Sequence, residues 1–242
     1  MRKFFTTALV LAATVCIATA SLALEKTAVR FDDESRADFW SQDYTCSVAY
    51  RNNCTGWIWC WSGWSPNDMV GTCFAGPCCG PDATSSALAV SWAYACTGSP
   101  PGYNYTGAME IWGADAQCCP TAPLYSQPLL QASGWNGLGW GVPVPSPFIL
   151  MYVCAPTAGD PLAMATDHPA AGPTGPQACG YCFPSPRTTF SFYYGTPTTI
   201  LCPGSPMDDG ICFAEMYWDV AFNCITVGVE ESIWGTIKGL YR

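Results

Sequence analysis

Cysteine constrains this chain more than any other residue. Of sixteen cysteines in 242 residues, Cys16 lies in an N-terminal apolar run and fifteen follow it. These are Cys46, Cys54, Cys60, Cys73, Cys78, Cys79, Cys96, Cys118, Cys119, Cys154, Cys179, Cys182, Cys202, Cys212 and Cys224. Such a density is expected where thiols oxidise, with most sulfurs serving as structural disulfide members. An odd number leaves at least one thiol free or bonded to another chain. Cys78-Cys79 and Cys118-Cys119 are adjacent pairs. Joining neighbours strains the peptide between them, so each member is expected to reach a different partner. Spacing alone does not give the connectivity.

The first residues agree with an oxidising destination. Arg2 and Lys3 precede the uncharged apolar run Phe4–Ala20, and Ala18-Thr19-Ala20 and Ser21-Leu22-Ala23 offer small residues for a signal peptidase. Residues 1–23 are therefore expected to be a cleaved secretory signal. Val15 before Cys16 argues against lipidation, and no later run is long enough for a second membrane span. The expected location is secreted, extracellular or at the cell surface, with periplasmic transit.

Charge excludes some partners. The full chain carries a net charge of −9, from nine basic and eighteen acidic residues. Cleavage would remove two bases and no acid, which makes the remainder more acidic still. A nucleic-acid partner needs a basic footprint, and an anionic membrane surface repels such a chain.

Hydrophobic periodicity points to strands. Charged residues are 11% of the chain and apolar residues 50%, with abundant Gly, Pro, Trp and Tyr. Aromatic burial can drive folding, so the composition is not that of a disordered chain. Ala/Glu/Lys/Leu-rich helical stretches are missing after the leader. Residues 24–43 read as a polar spacer. From Tyr44, short apolar runs alternate with turn residues, as in a sandwich or barrel. The clearest alternation is Ala214–Cys224, with Ala214, Met216, Trp218, Val220 and Phe222 on one face. Leu88, Val90, Trp92, Tyr94 and Cys96 form a second large-residue face, and Phe190, Phe192 and Tyr194 a third. Asp68–Phe74 and Tyr105–Trp112 also read as strands. Phe148–Cys154 is apolar on both faces, which suits a central strand.

Residues 155–186 break this rhythm with proline and glycine, so regular strands are not expected there. The segment reads as a long loop, either held down by Cys179 and Cys182 or used in binding. Residues 44–225 then form one β-sandwich domain, and residues 226–242 a tail. Within the tail, Trp234, Ile237 and Tyr241 recur at helical spacing, but Gly235 and Gly239 allow only a marginal helix.

Several segments resemble known proteins. Gly56-Trp57-Ile58-Trp59, Gly63-Trp64-Ser65-Pro66, and the stretch from Gly134-Trp135-Asn136 through Val142-Pro143 to Phe148 resemble jelly-roll-like sandwich domains of exported bacterial proteins. The ending Trp234-Gly235-Thr236-Ile237-Lys238-Gly239-Leu240-Tyr241-Arg242 is similar to a tail on secreted bacterial proteins without assigned activity. The resemblance implies an all-β, disulfide-stapled antiparallel sandwich. It implies no activity and transfers no catalytic residue.

The residues that could carry chemistry are few. Trp57, Trp59 and Trp61 alternate along one strand face, with Trp64 in the next turn. Exposed, they would stack on sugar rings; the plainer reading is a sandwich core, because tryptophan is usually mostly buried. Cys179-Gly180-Tyr181-Cys182 matches the redox C-x-x-C, yet prolines follow at once and no second C-x-x-C completes a zinc site. Structural disulfides are the expected use. His168 is the single histidine, with Asp167 beside it as the nearest orienting acid. Adjacent residues rarely face each other, and no G-x-S-x-G elbow exists to supply a nucleophile. Asp208-Asp209-Gly210, with Asp115 or Asp160, lacks the spacing of a calcium loop. Glu110, Glu215 and Asp219 lie on or near strands, but a glycosidase would need two of them facing across a cleft.

The expectation is a non-catalytic secreted or surface module, structural or adhesive, with no cofactor, metal or catalytic residue assigned. Its expected partners are a glycan or another surface protein, with a disulfide to another chain as one further mode of contact. A carbohydrate-binding module using Trp57, Trp59, Trp61 and Trp64 is the alternative, and an extracellular hydrolase the second.

Overall fold

A computed structural model describes residues 25–31, 44–51, 55–81, 83–96, 105–131, 134–155, 164–167, 189–207 and 213–226. These residues form thirteen strands: β1 (Glu25–Arg30), β2 (Cys46–Ala49), β3 (Trp57–Ser62), β4 (Met69–Phe74), β5 (Ala83–Ala95), β6 (Tyr105–Ala114), β7 (Pro120–Gln131), β8 (Gly134–Val142), β9 (Phe148–Cys154), β10 (Met164–Asp167), β11 (Ser191–Thr196), β12 (Thr199–Pro206) and β13 (Trp218–Thr226). One sheet has the order β1-β3-β10-β5-β13-β2, with β8 also paired to β5. The other has the order β12-β11-β4-β9-β6-β7. Every strand pairing is antiparallel. The expected disulfide-stapled, all-β sandwich is therefore present.

The interior lies between the sheets. Trp61, Leu88, Met164, Trp218, Val220 and Phe222 from the first sheet meet Val70, Met109, Ile111, Phe148, Leu150 and Tyr152 from the second. β9 shows why its sequence is apolar on both faces. Phe148, Leu150 and Tyr152 enter this interior, while Ile149 and Met151 join Met69, Cys73, Trp112 and Tyr194 in a separate core on the outer face of the second sheet. The approach of β6 to β9 requires glycine at one point, because a Cβ at Gly107 would overlap the Tyr152 phenol.

Four sequence expectations are corrected. The spacer contains a strand: β1 pairs along its length with β3, from Glu25↔Ser62 to Arg30↔Trp57. The Pro/Gly-rich segment also contains one, since β10 lies between β3 and β5. All four of its residues are buried, so its Met-Ala-Thr-Asp sequence offers no alternation to detect. The strand expected over Ala214–Cys224 is regular only from Trp218; before it, Met216 makes an isolated bridge to Thr166.

The fourth correction concerns β5. A register shift separates Leu88 from Val90 in its pairing with β8. Leu88 therefore faces the interior, whereas Val90 and Trp92 join Ala221 in an outer cluster and Ala93 and Ala95 turn inward. A bulge reverses which alternate residues point in, because the side-chain period is two. The glycines of β8 fit this arrangement: Gly137 pairs with Trp92, and a Cβ there would stand 3.2 Å from the indole.

Candidate functional site

Both adjacent cysteine pairs behave as expected, each member reaching a different partner. Cys78 bonds Cys46 and Cys79 bonds Cys224; Cys118 bonds Cys73 and Cys119 bonds Cys202. A fifth bridge, Cys60–Cys96, joins β3 to the end of β5 across β10. All five are intramolecular and fit an oxidising compartment. Cys154 is the free thiol among the described cysteines, and it is buried. Burial, and then the charge of Asp68, hold its thiol well above the ordinary range, so it is neither a nucleophile nor exposed to another chain. Cys54, Cys179, Cys182 and Cys212 lie outside the described residues.

The tryptophan ladder runs from rim to core. Trp61 is buried, 5% exposed, and its indole nitrogen donates to Thr166 Oγ1 at 2.8 Å. Trp59 and Trp64 are half-buried against the same core, and Trp64 Nε1 donates to the Trp61 carbonyl at 3.2 Å. Trp57 is half-buried at the start of β3. The opposite strand face is covered as well, by Ile58 and Cys60 packed with Phe31, Ala165 and Tyr217.

The acidic candidates are held within the fold. Glu215 is buried; its Oε1 accepts from Phe190 N at 2.8 Å and its Oε2 from Ser191 Oγ at 2.7 Å. Ser191 Oγ also accepts from Met216 N at 2.9 Å and lies 3.0 Å from Thr72 Oγ1. Asp167 is buried and accepts from Glu215 N at 2.9 Å. Glu110 accepts from Trp112 Nε1 at 2.8 Å and Ser126 Oγ at 3.1 Å. Asp115 accepts from the backbone of Gln117 and Cys119, each at 2.9 Å, and so shapes the turn that carries Cys118. His168, Asp160 and Asp208-Asp209-Gly210 lie outside the described residues.

Two arrangements were not read from the sequence. Arg51 forms a buried two-pronged ion pair with Asp219, both contacts 2.7 Å, under Trp135 and Tyr217, whose ring centroids lie 4.8 and 4.7 Å from the guanidinium carbon. A fully charged pair needs this geometry to survive burial. The one usable signal was a lone arginine close to the cysteine-rich strands. The second is Asp68, which accepts from Ser65 N at 2.6 Å and Tyr193 OH at 2.8 Å. Burial first, then that bond and the Asp68 charge, push the Tyr193 phenol up to about 12. Burial, followed by Asp115, also raises Tyr194, whose hydroxyl donates to the Cys118 carbonyl at 3.1 Å.

Cys46, Cys79 and Cys224 come together, as do Asp115, Cys119 and Cys202. Their sulfurs are in disulfides and are not the thiolates a metal requires. Among the described residues, no helix is long and apolar enough to cross a membrane. No protein-family model matches the chain, and neither a curated protein nor a solved structure matches it.

Proposed function

We propose that this chain is a non-catalytic module that works outside the cytosol through its surface, as a structural or adhesive element. The observation that carries this reading is the state of its reactive groups. Ser191, Glu215, Asp167 and Cys154 are buried, and Ser191, Glu215 and Asp167 are tied into bonds that join strands. Five disulfides brace the scaffold around them. The acidic composition supports solubility and disfavours polyanionic partners. The test is binding of the oxidised, purified protein to intact cells and to extracellular matrix, alongside a panel of glycoside, ester and peptide substrates. Saturable binding without turnover is the expected result. Turnover that persists through repurification would overturn the reading.

A carbohydrate-binding role is the second reading, supported by the partial exposure of Trp57 and Trp59 on one face of β3. Aromatic rings at a sheet rim suit sugar stacking, with Trp61 as their buried anchor. On a glycan array, Trp57→Ala should abolish binding while leaving thermal unfolding unchanged. Equal binding by the variant would exclude Trp57 from such a site.

A further inference from the structure

Two disulfides meet at one edge of the interior. Cys46–Cys78 and Cys79–Cys224 share the adjacent pair in the connector between β4 and β5. Their sulfurs are in contact, with Cys46 Sγ 3.7 Å from Cys224 Sγ. Cys46 and Cys224 lie on neighbouring antiparallel strands: β2 pairs with β13 at Cys46↔Phe222, so Cys224 is two positions along on the same face. Cys78 is the exposed member, and the other three are half-buried. The four sulfurs thus have an accessible entry point and a second pairing within reach.

We propose that this four-sulfur cluster is a thiol-exchange site, at which one two-electron reduction by a dithiol replaces two bonds from the first sheet to the β4–β5 connector with one bond inside that sheet. The external thiolate attacks Cys78 Sγ, forms a mixed disulfide there and expels the Cys46 thiolate. Cys46 attacks Cys224 Sγ, forms Cys46–Cys224 and expels the Cys79 thiolate. The second thiol of the reductant then attacks the sulfur of its own mixed disulfide, leaves as an oxidised dithiol and frees Cys78. Protons released by the two reductant thiols end on Cys78 and Cys79. Two protein disulfides have become one disulfide and two thiols, matched by the oxidation of one dithiol.

The product differs from simple reduction. β2 and β13 become covalently joined, while the connector loses both attachments and presents adjacent thiols. Ala75 N still donates to Tyr50 OH at 3.2 Å, so release begins beyond that residue. Cys118-Cys119 has no equivalent route, because its partners lie on β4 and β12, which are separated in the sheet by β11.

The test uses the full oxidised protein and sub-stoichiometric dithiothreitol, quenched with N-ethylmaleimide and mapped by mass spectrometry without further reduction. A Cys46–Cys224 cross-linked peptide should accumulate together with a peptide alkylated at both Cys78 and Cys79. This pair should exceed the product alkylated at Cys46 and Cys78 by about tenfold, because an intramolecular thiolate outcompetes a dilute external one. Joint alkylation of Cys46 and Cys78, or of Cys79 and Cys224, as the main first product would overturn the proposal. A Cys78→Ser/Cys79→Ser variant, oxidised during folding, should contain the Cys46–Cys224 bond. A folded variant with both of those thiols free would also overturn it. If the variant does not fold, the mapping of the natural chain decides.

Discussion

The outer faces of the two sheets are both covered, but by different physics. On the second sheet, Met69, Trp112, Ile149, Met151 and Tyr194 lie near a turn that is fixed covalently, by Cys73–Cys118 and Cys119–Cys202. On the first sheet, Trp135 and Tyr217 cover the Arg51–Asp219 pair, Phe31 and Tyr94 pack against those rings, and among the described residues one bridge, Cys60–Cys96, crosses the face. Phe31 meets Tyr94 and Tyr217 with centroids 5.1 and 4.8 Å apart, and Tyr94 meets Trp135 edge-on at 5.4 Å. One face is anchored by two bridges at a single turn and so leans on redox state. The other adds ring packing and one desolvated charge pair to its bridge, and these do not depend on redox state.

The comparison can be broken most forcefully at the covalent face. Replacing Cys119 and Cys202 with serine opens a loop of 83 residues and should cost about 4–5 kcal/mol in denaturant unfolding. A loss below ~1 kcal/mol would mean that Cys73–Cys118 and packing hold that face without the second bridge. The ionic face comes next. Arg51→Ala leaves Asp219 buried without its cation and should cost roughly 3–4 kcal/mol, while Arg51→Met with Asp219→Leu should recover most of that loss. Failure of the double variant to recover would assign the role of Arg51 to its stacking on Trp135 and Tyr217.

Smaller effects sharpen the contrast. Tyr194→Phe removes one bond to the covalently fixed turn and should cost about 1 kcal/mol by thermal unfolding. Alkali should act on the tyrosines of the second sheet. Tyr193 and Tyr194 have raised phenols in the fold, so the folded chain keeps protons that the unfolded chain gives up above its ordinary tyrosine range. Their contribution is complete below pH ~10 and is lost as pH rises toward the folded value near 12 for Tyr193. Tyrosinate absorbance should show these two groups ionising above the ordinary tyrosine range, with stability falling over the same interval. A stability profile flat through that interval would contradict the assignment.

Strands with a single exposed or a single buried face were legible from sequence. Trp218, Val220 and Phe222 face inward as their alternation requires, and β9 is central as its unbroken apolar run requires. The elements missed were those whose identity comes from neighbours. β10 is four residues with no polar face to break the pattern. β8 reads as turn sequence, but its glycines give room to Trp92. β7 carries Pro120, Pro123 and Pro128 and is tolerated because it lies at a sheet edge. The flip in β5 follows from one residue of register, which composition does not encode. At the candidate site, the adjacent cysteines announced divergent partners, but only the pairing of β2 with β13 brings two of those partners into contact. The tryptophan ladder was visible as a stripe, and its gradient from rim to core was not.

The placement of β5 has a consequence for the order of assembly. β5 pairs with β13 through contacts such as Ser86 with Cys224, and with β10 at Ala95 with Met164. A chain emerging from its N-terminus thus holds its central ribbon open on one side until β13 arrives. Fold completion is then a late, non-local event, and such topologies are slow to form. An oxidase acting early can close Cys46–Cys78 at once, whereas Cys79 must stay unpaired until Cys224 arrives.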